Sequence, residues 1–315
     1  MGLPALRSIF FGTPQFSVPI LRALAGATDL RLVVTQPARP SGRGRGRRPD
    51  PPAVARAAGE LGITVIQPER VAGKAFAARI REVGPDLLVT AAYGKLLGRG
   101  LLAAPRLECL NVHASLLPAF RGAAPIARAI LHGATETGVS IMRMAAELDA
   151  GPVFFREVVA IRTDETTGEL TARLAEIGAA ALVRLVEGLP GIEPQEQDHS
   201  RATWAPALRK EEGLMDWVRD AATLHAHVRG MHPWPGAFTV MGGEPLKIHR
   251  TAVVERESAF GAAGTALEHS AAGLDVACGK GVLRLLELQR PGRKRLGPAA
   301  FFAGRRIEAG RVLGI

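Results

Sequence analysis

Short apolar runs punctuated by glycine and proline set the pattern of the first two thirds of the chain. Residues 6–11 form a mostly apolar run that stops at Gly12-Thr13-Pro14, and residues 30–35 form a second run of the same kind. Proline suits the first turn of a helix, so a helix over residues 15–25 is expected between them. A β-α-β opening of this sort implies a parallel sheet. The alternation continues with a helix at 53–61, a strand at 63–67, a helix at 73–83 that ends before Pro85, and a buried strand at 86–91. Strands at 107–112, 138–144 and 152–161, a short helix at 125–132 and a long helix at 166–188 follow. Thr166 and Glu169 have the spacing of a capping box at the start of that last helix.

The character then changes. Residues 189–207 contain Pro190, Pro194 and Pro206 among many polar residues, the composition of a linker. After Lys210 five short strand-like runs appear, at 237–240, 246–254, 264–267, 274–278 and 282–288, punctuated by glycine pairs. Five short strands predict a small barrel of the oligonucleotide-binding kind. The fold class read from the pattern is α/β: a Rossmann-like, mostly parallel sheet in an N-terminal domain plus a small C-terminal OB-like β-barrel. The expected boundaries are a catalytic domain over 1–189, a linker over 190–208 and the barrel over 209–315.

One stretch of the first domain carries chemistry. In Cys109-Leu-Asn111-Val-His113-Ala-Ser115-Leu-Leu-Pro118-Ala-Phe-Arg-Gly122 an apolar strand alternates with Asn111 and His113, then breaks at Pro118 and Gly122. Residues two apart on a strand face the same side. Ligands of open α/β sheets bind at the carboxyl ends of strands, so Asn111 and His113 are placed to meet one reacting centre. Asn supplies an amide donor and acceptor, and His supplies a base near neutral pH. Asp149 lies in a loop of small and polar residues downstream, where an acid can hold an imidazole in one tautomer. Ser115 is a weaker candidate nucleophile, because an i, i+2 contact with His113 at a strand end is awkward. Cys109 and the single tyrosine, Tyr93, are expected in the core.

Other classes are excluded. The first turn lacks G-x-G-x-x-G, against a dinucleotide cofactor, and no G-x-S-x-G elbow is present. Two distant cysteines make neither a disulfide framework nor a metal spacing. No apolar run reaches the ~20 residues of a membrane span, and no signal-peptide pattern appears, which points to the cytoplasm. With 47% hydrophobic and 22% charged residues the composition is globular.

The net charge of +10 is clustered. Residues 37–49 hold Arg39, Arg43, Arg45, Arg47 and Arg48 with glycines and prolines and, up to Pro49, no acid. A second group, Arg290, Arg293, Lys294 and Arg295, follows the last predicted strand, with Arg305 and Arg306 beyond it. Guanidinium forks match phosphate oxygens, so a nucleic-acid partner is expected.

The segment running from Asn111 to Pro118, with Asp149 downstream, resembles the signature of the folate-dependent formyltransferases. Arg121-Gly-Ala-Ala-Pro125-Ile, Gly138-Val-Ser-Ile-Met142 and Leu148-Asp149-x-Gly151 extend the likeness. Phe11-Gly-Thr-Pro14, Thr35-Gln-Pro37, Lys210-Glu-Glu212, Asp216-Trp217 and Pro233-Trp-Pro235 narrow it to the branch that acts on initiator methionyl-tRNA. The resemblance implies a Rossmann-like catalytic domain with a C-terminal barrel, and transfer of the formyl group of 10-formyltetrahydrofolate to the methionyl amine for translation initiation. It places catalysis at Asn111, His113 and Asp149, and tetrahydrofolate binding at Ser115, Leu116, Leu117 and Pro118. It puts the arginine-rich insertion against the acceptor stem, with Arg293, Lys294 and Arg295 as further tRNA contacts, and implies a monomer with no metal. Departures from the usual pattern are Gln15, Ala119, Arg143 and the run Met144-Ala-Ala-Glu147. The alternatives are formylation of a nucleotide-sugar or of glycinamide ribonucleotide, and a non-catalytic nucleic-acid-binding protein, which would leave Asn111, His113 and Asp149 unused.

Overall fold

A computed structural model of the protein describes residues 5–38, 50–270, 272–303 and 307–314. In chain order the elements are β1 (Arg7–Gly12), α1 (Ser17–Ala27), β2 (Asp29–Val34), α2 (Ala53–Glu60), β3 (Val65–Ile66), α3 (Lys74–Glu82), β4 (Leu87–Ala91), α4 (Arg99–Leu102), β5 (Glu108–His113), α5 (Pro125–Leu131), β6 (Glu136–Arg143), β7 (Val153–Ala160) and α6 (Thr167–Gly188). They continue with α7 (Ala221–Met231), β8 (Ala237–Met241), β9 (Glu244–Glu255), β10 (Ala266–Ser270), β11 (Gly273–Ala277), β12 (Val282–Gln289) and α8 (Pro298–Phe302).

Two compact units result: Met1–Pro125, Thr137–Ala160 and Thr171–Ala205 in the first, and Ile126–Glu136, Ile161–Leu170 and Pro206–Ile315 in the second. The first is built on a seven-stranded sheet of order β3-β2-β1-β4-β5-β6-β7. Its first five strands in that order pair parallel, and β6 runs antiparallel to β5. The central strands are apolar on both faces because both are covered, as a mostly parallel sheet requires; Ile9, Phe10, Phe11, Leu87, Leu88 and Val89 have no exposed surface. The strand order reverses between β1 and β4, and the next strand out, β5, carries the candidate residues at its carboxyl end.

The second unit holds a five-stranded antiparallel sheet of order β10-β11-β12-β9-β8. Leu224, Val228 and Met231 of α7 share its core with Leu246, Ile248, Leu283 and Leu285. Trp217 is buried in the same core and donates its indole N–H to Thr239 Oγ1 at 2.9 Å.

Three features depart from the sequence expectation. Helix α7 lies in a stretch for which the sequence pattern predicts no element; Asp220 caps it by accepting from the Thr223 N–H at 2.8 Å. The second compact unit also takes in Ile126–Glu136, where Arg128 of α5 grips the later chain. It makes a bidentate pair with Glu212 at 2.7 and 3.1 Å and donates to the Pro206 and Ala207 carbonyls. Finally, residues 195–205, linker-like in composition, form a strap within the first unit. Val153 and Gln195 exchange backbone hydrogen bonds, Arg121 N–H donates to the Thr203 carbonyl and Ala205 N–H to the Arg121 carbonyl. The expected box at α6 is present: Thr166 N–H donates to Glu169 Oε2 at 2.9 Å, and Glu169 N–H returns to Thr166 Oγ1 at 3.3 Å. Among the described residues no helix is long and apolar enough to cross a membrane.

Candidate active site

Strand register brings the first pair of polar groups together. Asn111 of β5 lies opposite Thr90 of β4. The Thr90 hydroxyl donates to Asn111 Oδ1 at 2.7 Å, which commits the amide oxygen and leaves the Nδ2 group as a donor. Two residues on, at the last position of β5, His113 emerges on the same side, 6% exposed.

His113 sits between two oxygen acceptors. Its Nδ1 is 3.6 Å from Asp149 Oδ2, and its Nε2 is 3.1 Å from the Phe120 carbonyl. Asp149 Oδ2 in turn accepts the Gly122 N–H at 2.9 Å. Phe120 and Asp149 have φ of 58° and 51°. Such left-handed backbone costs a non-glycine residue about 1–3 kcal/mol and collects at functional sites. Here it falls on the two residues that present oxygens to the imidazole.

The segment running from Ser115 to Pro118 is fixed by its backbone. Ser140 Oγ donates to the Ser115 carbonyl at 2.7 Å and accepts the Leu117 N–H at 3.1 Å, while Arg156 Nε donates to the Leu117 carbonyl at 2.8 Å. Ser115 is fully buried and its hydroxyl donates to the Ala119 carbonyl at 2.6 Å, so that hydroxyl belongs to the turn and not to His113. Leu117 packs with Met142 and Val153. Only Leu116 and Pro118 of the four keep partial exposure.

Neighbouring groups are inert. Burial pushes the Cys109 thiol up to about 12, with Glu108 adding to the effect, and burial alone raises the Tyr93 phenol to about 12. Arg143, one of the departures, makes a bidentate pair with Glu108 and lies 5.6 Å over the Phe154 ring. It is cross-strand scaffolding, on the same β5 and β6 edge as the site.

Sequence reasoning missed Thr90, Arg121 and Gln197. Arg121 is 2% exposed, and its Nη2 donates to Gln197 Oε1 at 2.7 Å and lies 3.1 Å from His199 Nδ1. Its motif was visible, but the burial that makes it structural was not. Thr90 and Gln197 carry no local signal, because each acts through a residue at least twenty positions away.

The expected phosphate contacts divide. Arg39, Arg43, Arg45, Arg47 and Arg48 lie outside the described residues. Arg293, Lys294 and Arg295 follow β12 in the second unit and are exposed. The turn is closed by Arg293 N–H to the Arg290 carbonyl at 3.1 Å and by the Gln289 amide to the Arg293 carbonyl at 2.7 Å. Arg290 lies 5.0 Å over the Phe301 ring, and Arg295 is 3.6 Å from Glu287. Among the described residues no group of three or more His, Cys, Asp or Glu is arranged to hold a metal ion.

A Rossmann-like sheet with an Asn-x-His strand end, an acid facing the imidazole and a second unit built on a five-stranded antiparallel sheet defines a known class. The formyl transferase model matches residues 6–186 and the model of its C-terminal domain matches 207–306, so the chain belongs to the formyl transferase family. It is an enzyme of formyl-group transfer. A methionyl-tRNA formyltransferase of Pelobacter propionicus is 45% identical over 97% of this chain and 95% of its own length. Among solved structures, a methionyl-tRNA formyltransferase from Clostridium thermocellum has a TM-score of 0.57 at 15% identity, covering 78% of this chain and 93% of its own. An N-formyltransferase from Helicobacter canadensis, solved with folinic acid and dTDP-3-aminofucose, has a TM-score of 0.66 at 12% identity, covering 89% and 98%.

Proposed function

We propose that this enzyme transfers the formyl group of 10-formyltetrahydrofolate to the free amine of methionine on initiator methionyl-tRNA, in the cytoplasm, at translation initiation. The near-full-length likeness to methionyl-tRNA formyltransferases at 45% identity carries the choice of acceptor. The convergence of Asn111, His113 and Asp149 carries the chemistry.

The methionyl nitrogen forms a bond to the formyl carbon, and negative charge develops on the formyl oxygen. The Asn111 Nδ2 group, freed by the Thr90 contact, donates to that oxygen; a single such donor is worth about 10²–10³ in rate. His113 takes the proton that the attacking nitrogen loses, a role worth about 10²–10⁴. To do so its Nε2 exchanges the Phe120 carbonyl for the amine. The imidazolium then has the Asp149 carboxylate facing its other nitrogen, Nδ1. Collapse breaks the bond from the formyl carbon to folate N10, and the proton passes to that nitrogen. No covalent enzyme intermediate is required. The partly exposed Leu116 and Pro118 form the apolar lip that meets the folate, while Ser115 and Leu117 hold the lip in place. The arginines at 39–48 and the Arg293, Lys294 and Arg295 turn meet tRNA phosphates.

The test offers the enzyme 10-formyltetrahydrofolate with charged initiator tRNA, charged elongator tRNA, glycinamide ribonucleotide and an amino-sugar nucleotide in separate reactions. Formylation of charged initiator tRNA alone is expected. Preference for either small amine would refute the assignment.

A further inference from the structure

We propose that Gln197 is a positioning residue for formyl transfer: oriented by the buried Arg121, its amide clamps the Asp149 loop so that the carboxylate faces His113. This rests on the role given to Asp149 above.

Gln197 is 4% exposed and fully engaged. Its Oε1 accepts from Arg121 Nη2 at 2.7 Å, so the other end of the amide must be the amino group. Both of its hydrogens are used: Nε2 donates to the Asp149 carbonyl at 2.8 Å and to the Gly151 carbonyl at 2.7 Å. Those two carbonyls flank the turn whose first residue, Asp149, has a φ of 51°. Gly151 is itself confined, since a Cβ there would lie 2.0 Å from the Arg143 carbonyl.

The clamp closes on both sides of Asp149. Gly122 holds the Asp149 carboxylate by its N–H, and the preceding residue, Arg121, holds the Asp149 carbonyl through Gln197. Two consecutive residues therefore fix the backbone and the side chain of one acid. The strap supplies the rest: Gln195 pairs with Val153 just beyond the Asp149 turn, and residues 203–205 pair with Arg121. Among the described residues no carboxylate lies within hydrogen-bond distance of Arg121; Glu147 Oε1, on an exposed side chain, is 3.9 Å away. A buried cation whose best-placed partner is a neutral amide is poor as a stability device. As a means of locking the amide in one orientation it is well chosen, because it forbids the flipped rotamer that would turn Oε1 toward two carbonyls.

Gln197→Glu is the informative substitution. It keeps shape and strengthens the Arg121 pair, but replaces two donors with an acceptor facing two carbonyls. The expected result is a kcat for formyl transfer lowered about 10- to 100-fold, the cost of a small misplacement, with KM for both substrates little changed and a thermal midpoint lowered by the two carbonyls left without donors. Gln197→Leu, which cannot donate either, should lower kcat at least as far and, by taking from the buried Arg121 its best-placed partner, should lower the thermal midpoint further. In an Asp149→Ala background, where the carboxylate that the clamp positions is gone, Gln197→Glu should cost the transfer rate nothing further. A full-sized additional loss there, or unchanged kcat in the single variant, overturns the inference while leaving Asp149 in its role. An Asp149→Ala enzyme as fast as wild type would instead remove the role of Asp149, and this inference with it.

Discussion

The Thr90 hydroxyl donates to the Asn111 amide oxygen at 2.7 Å, across the parallel register of β4 and β5. Thr90 is buried, with the Leu110 carbonyl at 3.2 Å and the Met144 sulfur at 3.4 Å as its other neighbours. The bond decides which end of the amide faces the reacting formyl oxygen. Thr90→Val keeps the shape and removes the donor. It should lower kcat about 2- to 10-fold, the worth of one net hydrogen bond, and leave KM unchanged. Steady-state kinetics on the two enzymes checks this, and an unaltered kcat would mean that Asn111 needs no help in orienting.

Gly151→Ala tests the same loop from its backbone. The added Cβ would collide with a backbone carbonyl, which cannot move aside as a side chain does. Overpacking of this kind costs about 1–3 kcal/mol, so a lower thermal midpoint together with loss of transfer activity is expected. An active, equally stable Gly151→Ala enzyme would show that the loop has slack.

The path from sequence to this geometry was uneven. Asn111 and His113 could be placed on one face at a strand end, because alternation on a strand is a local property and the break at Pro118 and Gly122 is local too. The contact between His113 and Asp149 could only be conjectured, since it depends on a loop thirty-six positions away. Helix α7 was hidden by its composition. Histidine and alanine dilute its apolar face, and Leu224, Val228 and Met231 reveal it only once the Asp220 cap is noticed. The strap at 195–205 was hidden for the opposite reason. Its prolines and polar residues read as solvated linker, yet its backbone is paired to Val153 and Arg121 and its Gln197 is buried. Composition reports whether a segment can fold alone, not whether a neighbour will pair with it.

The second unit should lose stability on mild acidification. Burial, the largest influence on each, pushes His225, His227, His232 and His249 below the ordinary imidazole value of 6.5. Asp164, 3.3 Å from His225, opposes that only in part. The unfolded chain therefore binds protons at a higher pH than the folded one. The stability these groups permit is whole above 6.5 and is lost as pH falls below it. Glu169 and Glu212 are held below 4.5 by hydrogen bonds from Thr166 and Arg128, so their losses come at lower pH. Thermal midpoints from neutral pH to about pH 5 should fall steadily. A flat or rising profile would contradict the burial of these imidazoles.

The basic turn after β12 makes an electrostatic prediction. If Arg293 and Lys294 each meet one tRNA phosphate, replacing both with alanine should lower the slope of log affinity against log salt by about 2. Neutralising Arg43, Arg45 and Arg47 should lower it further. Filter binding of charged initiator tRNA over a salt series measures this. A slope unchanged by the Arg293 and Lys294 pair would make that turn a solvated surface.

The central claim is that His113 handles the proton of the attacking amine, and His113→Ala tests it most directly. With initiator methionyl-tRNA and 10-formyltetrahydrofolate saturating, single-turnover transfer should fall about 10²–10⁴-fold while tRNA affinity stays near wild type. Transfer at the wild-type rate by the alanine enzyme would contradict the account.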